Sequence, residues 1–222
     1  MRKDLVTSAI GIVVITLMCG ILYPLVVTGV SQLAFPGNAN GQQVFVKGKL
    51  VGSKIIGQNF ATVVLNPKTG KPEMSDGEPV TTPDPMYFQT RPSGTVPADN
   101  DAATEFANYG PNSTITLAAL KANIAAYIQL NGKYYPGGLT AAKIPVDAAD
   151  TSASGVDPEI SIANADIQAY RIAALRHLSL ASVHRLISQY TLRRGLGFSG
   201  EPGVDVLEIN LALDRITGAP SS

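Results

Sequence analysis

Tryptophan is absent from this chain, cysteine occurs once and histidine twice, and each scarcity removes a class of protein. A lone cysteine, Cys19, leaves no intrachain disulfide to staple a small secreted scaffold. His177 and His184 stand at i, i+7 with no cysteine or carboxylate completing a ligand set, which favours two surface or interface histidines over a metal centre. Lysine plus arginine equals aspartate plus glutamate at 17 each, so no basic excess marks a nucleic-acid surface. No internal repeat is found. The most telling absence is local: between Asp4 and Lys47 there is no charged residue.

Apolar residues fill that gap. The run from Leu5 to about Leu33 exceeds the roughly 20 residues needed to cross a hydrocarbon core. In lipid its backbone must satisfy itself, so it is expected to be helical, with Pro24 removing one helical hydrogen bond. The run is too long for the h-region of a cleaved signal peptide. A lipoprotein signal ending at Cys19 fits poorly, since that cysteine lies mid-span behind Met18. A retained anchor is the reading that fits. Arg2 and Lys3 lie on its short side, which places the amino terminus in the cytoplasm and the rest of the chain outside it. The small residues Ser8, Gly11, Gly20 and Gly29 permit close helix contact, with Thr7/Gly11 and Thr16/Gly20 as the spaced pairs.

The expected organisation is a short cytoplasmic terminus (1–4), a transmembrane helix (5–34) and one mixed α/β (α+β) extracytoplasmic domain (35–222) of a size able to hold its own core. Val44 to Val46 and Leu50-Val51 flank Lys47-Gly48-Lys49 and read as a β-hairpin. Prolines and glycines interrupt residues 66–85, giving an exposed loop, and a second loop covers 94–113. Helices are expected through Leu117, Leu120, Ile124, Tyr127 and Ile128, capped by Thr114 or Thr116; from about Ile162 to Leu178, with Ile167, Ala174, Leu175 and Leu178 inward; and from Ser182 through Tyr190. Val204-Asp205-Val206-Leu207 reads as a buried strand and Asn210 to Asp214 as a short closing helix.

Chemical motifs are weak. Gly195-Leu196-Gly197-Phe198-Ser199-Gly200 matches GxGxxG, but a helix precedes it and Glu201-Pro202 follows, so a glycine-rich turn is expected. Asn66-Pro67-Lys68-Thr69-Gly70-Lys71 has proline where the phosphorylation loop of a P-type ATPase needs its aspartate. Asp147, Asp150 and Asp157 offer oxygen ligands without EF-hand spacing, and turn capping is their simpler role. Asn112-Ser113-Thr114 is a glycosylation sequon relevant only in a eukaryotic secretory route. Arg171, Arg176, Arg185, Arg193 and Arg194 give the helical region a basic bias, read as a solvated or docking face.

Five blocks in order resemble the C subunit of the bacterial Kdp potassium-transporting ATPase. They are Tyr23-Pro24-Leu25-Val26-Val27-Thr28-Gly29 running on to Phe35-Pro36; Gly52-Ser53-Lys54-Ile55-Ile56-Gly57-Gln58-Asn59-Phe60; Tyr87-Phe88-Gln89-Thr90-Arg91-Pro92-Ser93; Ala153-Ser154-Gly155-Val156-Asp157-Pro158-Glu159-Ile160-Ser161; and Gly200-Glu201-Pro202-Gly203 through Asp214. The resemblance spans nearly the whole chain. It implies a non-catalytic accessory subunit in the cell membrane, which assembles or stabilises a high-affinity potassium uptake complex. Its partners would be a channel-like A subunit, a P-type ATPase B subunit and a small F peptide, with ATP on the pump subunit and potassium as cargo. A role as a catalytic chaperone for ATP binding is also implied. No cofactor or metal site is expected on this chain, and Tyr23, Pro24, Gly29, Gln58, Arg91, Asp157 and Pro158 are the interface candidates. Two departures stand out: a Pro/Gly-rich insertion at about 61–86, and Glu105-Phe106-Ala107-Asn108-Tyr109 where the family carries a Ser-Gly-Gly-Ser-Asn stretch. The second departure, and a domain outside the cytoplasm, argue against direct ATP contact. A cap over the potassium entrance, steering the ion through carbonyls and carboxylates, is the physical alternative. An anchored exterior hydrolase using Ser199 or Ser154 is the reading from another class.

Overall fold

The computed structural model describes residues 2–75, 77–95, 98–99, 109–110, 112–152 and 154–218. Ala153, Pro111, residues 105–108 and most of the expected loop 94–113 lie outside the described residues. The chain divides into two units, Met1–Ser53 and Lys54–Ser222.

The first unit begins with α1 (Arg2–Leu17), passes through a π-helical turn (Met18–Leu22) and continues as α2 (Tyr23–Ala34). The 33 residues from Arg2 to Ala34 form a helix long and apolar enough to cross a membrane. At 1.5 Å per residue it measures about 50 Å, against a hydrocarbon core of about 30 Å. The π-turn has a cause in the sequence. Pro24 cannot donate a backbone hydrogen bond and its ring crowds the preceding turn. The helix widens there, and the Tyr23 N–H donates to the Met18 carbonyl, one residue further back than in an α-helix. At Phe35 the helix breaks, and Pro36 opens the short α3 (Pro36–Ala39). Gln32 and Asn40 close this corner with two reciprocal amide hydrogen bonds of 3.2 Å. The expected hairpin follows as β1 (Gln43–Val46) and β2 (Lys49–Ser53). Lys47 and Gly48 both take positive φ at its turn, the geometry that matches the twist of paired strands.

The second unit starts with an arm. The insertion at about 61–86, of which 66–85 is expected as a loop, contains two nested hairpins. β3 (Ala61–Val63) pairs with β6 (Thr81–Pro83), and β4 (Met74–Ser75) pairs with β5 (Glu78–Pro79). The prolines suppress periodicity but sit where the ladder tolerates them, at strand ends and isolated bridges. The Asn66 side chain accepts from the Lys68 and Thr69 N–H groups, and the Asn66 N–H donates to the Lys71 carbonyl. Residues 66–71 are therefore a hairpin turn.

The core lies between a small antiparallel sheet and helices. α4 (Thr114–Asn131) leads to β7 (Glu159–Ser161), α5 (Ile162–Leu175), α6 (Leu180–Gln189), β8 (Thr191–Leu192), β9 (Gly203–Asp205) and α7 (Val206–Thr217). The sheet order is β7-β9-β8. Ile160, Ile172, Val183, Val204, Ile209 and Leu213 are buried at its centre, with Phe88. Serines set three helix starts. Ser113, rather than Thr114 or Thr116, caps α4; Ser161 caps α5; and Ser179 caps α6, which begins at Leu180, two residues before the expected Ser182. The expected strand at 204–207 is cut at Asp205. Its carboxylate accepts from the Glu208 N–H and starts α7, so Val206 and Leu207 bury in a first helical turn and the expected short helix is absorbed.

Two further expectations change. Ala174 is exposed, and the inward face of α5 carries Arg171 and Gln168. Arg171 and Arg176 are buried, so they form no solvated face. Both hold the strip Pro85 to Gln89, which joins no strand. The Asn210 amide accepts from the Phe88 N–H and donates to the Phe88 carbonyl, both at 2.9 Å. Gln168 does the same for Gln89 at 2.8 and 3.0 Å. The Arg171 guanidinium donates to the Pro85 and Tyr87 carbonyls, to Asn131 and to Gln168. Arg176 donates to the Met86 carbonyl, Asp214 and the carboxyl end of α7, and lies over the Tyr87 ring. Burial pushes the Arg171 guanidinium down to about 10, so it remains charged at neutral pH. Asn210→Leu keeps volume but orphans two buried backbone groups. It is expected to cost about 2–4 kcal/mol, measured by urea or thermal unfolding of the detergent-solubilised chain.

Candidate functional site

Three of the resembling blocks meet in one knot of loops in the second unit. The Gly57 N–H donates to the Val156 carbonyl at 2.7 Å, and Gly94 N–H donates to the Gly155 carbonyl at 3.0 Å. The Arg91 guanidinium donates to the Asp157 carboxylate at 3.0 Å and to the Thr151 carbonyl at 3.1 Å. Its donor contact to the Asp150 carbonyl is longer, 3.4 Å. Ser93 donates its hydroxyl to the Gly155 carbonyl and accepts from the Asp99 N–H. Asp99 in turn accepts from the Thr90 hydroxyl, and burial pushes its carboxyl up. Gly57 is required by space. A Cβ there would lie 2.7 Å from the Asp157 carbonyl oxygen and 3.0 Å from an Asp99 carboxylate oxygen. Pro158 accepts the Val206 N–H and ties the knot to the start of α7.

Beside it, Glu159 and Asp205 face each other across β7 and β9, and Glu208 forms an ion pair with Lys54 at 2.5 Å. Burial, with the neighbouring Glu208 and Glu159 carboxylates, pushes Asp205 up to about 6 from an ordinary 3.8; its bond from the Glu208 N–H and the charge of Lys54 act the other way. Glu159 is also raised, by burial and by Asp157.

The interface candidates divide between the units. Tyr23, Pro24 and Gly29 lie on the exposed surface of α2. Arg91, Asp157 and Pro158 are brought together in the knot, and Gln58 follows Gly57 in it. The buried Gln58 Oε1 and Arg91 Nε find no hydrogen-bond partner among the described residues. Asp147 is structural. It accepts from the Ser161 N–H and hydroxyl and from Asn164, which positions the cap of α5. Ser199 sits in an exposed turn, bonded backbone to backbone with Gly195. Ser154 contacts Asp157, Ser152 and the Val156 N–H. No hydrogen bond between either serine and a histidine is found among the described residues. No group of three or more metal-type ligands is found there either. His177 and His184 are exposed. His184 lies 3.7 Å from Asp166 beside a shallow surface pocket of about 370 Å³ that Tyr135, Lys143 and Tyr170 also line. The buried polar set of Gln168, Arg171, Arg176 and Asn210 has no local signal in the sequence, because its partners are backbone groups about 80 to 120 positions away.

These features define a class: a candidate single-span membrane anchor carrying a mixed helix-and-strand domain with a hydrogen-bonded knot of loops. A family model described as KdpC, K+-transporting ATPase, c chain, matches residues 5–215. The chain belongs to the KdpC family. It is 39% identical over 216 residues to a potassium-transporting ATPase KdpC subunit of Mycobacterium tuberculosis strain H37Rv, covering 97% of this chain and 100% of the relative. The identically named protein of Methylococcus capsulatus is 42% identical over 202 residues, covering 90% and 92%. That of Koribacter versatilis is 37% identical over 225 residues, covering 100% and 99%.

The buried Asp205 gives a signed pH dependence. Below about pH 4 its carboxyl is protonated folded or unfolded. Between about pH 4 and 6 only the unfolded chain loses the proton, so this group's contribution to stability falls as pH rises. Asp205→Asn retains a helix cap. It is expected to raise stability near pH 7 by up to about 2 kcal/mol and to flatten the difference in thermal midpoint across that window.

Proposed function

We propose that this chain is a non-catalytic accessory subunit of a potassium-transporting ATPase complex, with residues 1–4 in the cytoplasm, 5–34 in the membrane and 35–222 outside it. Its role is to assemble and hold the complex. The partners are a channel-like subunit, a P-type ATPase subunit and a small membrane peptide. One observation carries the reading most. Three of the five blocks of the resemblance converge on a knot whose hydrogen bonds are spent on holding loops together, the arrangement of a rigid docking surface rather than of reacting groups. Orientation rests on Arg2 and Lys3 before the span and no further basic residue until Lys47. The anchor supports the same reading. Pro24 leaves one carbonyl of the preceding turn without its helical donor, and in lipid such a group is best satisfied by a neighbouring helix. Gly29 opens a close-approach surface nearby. With ATP confined to the cytoplasm, any effect on nucleotide binding is transmitted through the span.

A potassium cap is the second form of this reading, and the geometry favours it less. Asp147 and Asp157 would have to release Ser161, Asn164 and Arg91 to offer free carboxylates.

Gentle-detergent purification of the tagged chain, followed by mass spectrometry, is expected to recover a large polytopic subunit and a P-type ATPase. A Cβ on Gly29 meets nothing within 4 Å in this chain, so Gly29→Leu should leave the chain folded and lower that recovery several-fold. Recovery of the chain alone, from cells expressing the other subunits, would count against the assignment. For topology, Lys121→Cys on the exposed face of α4 should react with a membrane-impermeant maleimide in intact cells. Protection until lysis would place the domain in the cytoplasm.

A further inference from the structure

The turn between β8 and β9 presents two large apolar side chains to solvent. Leu196 is 91% exposed and Phe198 75%, and Leu192 at the foot of the turn is 46% exposed. The segment is well held. Gly195 and Ser199 exchange backbone hydrogen bonds of 2.7 and 2.8 Å, and the Phe198 N–H donates to the Gly195 carbonyl. Arg194 clamps the base through both oxygens of Glu201, at 2.7 and 2.6 Å.

Leu196 and Gly197 occupy the centre of the turn with φ of +53° and +82°. Glycine, asparagine or aspartate makes such a turn with least strain. A leucine there bears a steric penalty and is almost wholly in water, so neither local conformation nor the core accounts for it. Strain and exposure on the same residue point to an external contact.

We propose that this tip is a second membrane foot: Leu196 and Phe198 insert at the interface of an anionic bilayer, with the guanidinium of Arg193 against the lipid phosphates. Three observations select lipid as the occupant. The tip is a tight hydrogen-bonded turn whose two apolar side chains stand out in solvent, which suits insertion among acyl chains. Its charge is cationic on balance, because Glu201 neutralises only Arg194 among the exposed residues 193–201. Finally, the domain is tethered. Only residues 35–53 separate the end of the candidate span from the second unit, a reach of at most about 65 Å. Two apolar side chains bind a bilayer weakly from free solution, but a tether turns that contact into an intramolecular event at high effective concentration. The inference rests on the anchor reading made above.

The test uses the full-length chain in vesicles of phosphatidylethanolamine and phosphatidylglycerol, carrying Cys19→Ser and a single Leu196→Cys labelled with an environment-sensitive fluorophore. Lys121→Cys is the control site. Flotation of the chain with the vesicles reports the anchor. Spin-labelled lipids with the quencher near the headgroup report the tip. Co-flotation, quenching at position 196 at least about twofold above that at position 121, and loss of that excess on adding Phe198→Ser are expected. Co-flotation without excess quenching overturns the membrane foot and leaves the anchor intact. Failure to float overturns both. Shielding of position 196 that arises only when the transporter's other subunits are co-reconstituted, and that spin-labelled lipid does not sense, assigns the tip to a protein and overturns the proposal.

Discussion

The domain depends on a strip of backbone that has no strand beside it. Pro85 to Gln89 runs along the edge of the core and buries Phe88 fully in it, where an unpaired N–H or C=O is costly. The fold supplies side chains in place of a neighbouring strand. A primary amide carries one donor face and one acceptor in nearly the spacing of a peptide unit. Asn210 therefore pairs with both backbone groups of Phe88, and Gln168 with both of Gln89. The carbonyls of Pro85 and Tyr87 remain, and Arg171 takes them. Arginine suits this place because its planar fork serves several fixed acceptors at once and its charge survives burial. Lysine would present a point charge with no such fork. With the strip fixed, Phe88 enters the core and Tyr87 is held against Arg176, Asp214 and Phe60.

Much of the architecture is legible in the sequence because it follows hydrophobic periodicity. The apolar span, the β1–β2 hairpin with its Lys-Gly turn, and the cores of α4, α5 and α6 are readable in this way. The failures share a cause. Periodicity reports which side of an element faces inward, and it assumes that charge faces out. Arg171 violates that assumption, so periodicity misplaces the inward face of α5 toward Ala174. Helix ends differ by small amounts, because the decisive residue is the hydroxyl or carboxylate that reaches back to a free N–H. Asp205 is the clearest case: one side chain turns a plausible strand into the first turn of α7. Residues 66–85 of the insertion read as a loop for the opposite reason. Their order lies in antiparallel pairing and an Asn66 turn, which proline-rich sequence conceals.

The candidate site is legible as blocks and illegible as a place. Residues 57–60, 87–93 and 154–158 are short and largely polar, the first and last with a glycine, and nothing local says that they touch. The structure shows why their small residues matter. Gly57 passes against the Val156 and Asp157 carbonyls with no room for a Cβ. Arg91 joins Asp157 to the carbonyl of Thr151, so its charge is used in fastening loops. A carboxylate fastened this way is poorly available to a passing cation. The knot is better suited to presenting a fixed shape than to binding an ion.

The span raises the same question of unsatisfied backbone in a harsher solvent. Pro24 removes a donor, and the helix responds by opening a π-turn in which Tyr23 reaches back to Met18. That rearrangement redistributes hydrogen bonds but cannot create the missing one. In water a carbonyl left over is solvated at little cost. In hydrocarbon it costs far more unless a partner supplies a donor. A proline in this position therefore places a weak point in a solitary helix and a potential contact point in a bundled one. The domain resolves its version internally through Asn210, Gln168 and Arg171. The anchor carries no arginine or asparagine within its apolar run, and its one amide, Gln32, is spent on Asn40; hydroxyls such as that of Thr16, the π-turn itself or a neighbouring helix are the routes left for the freed carbonyl.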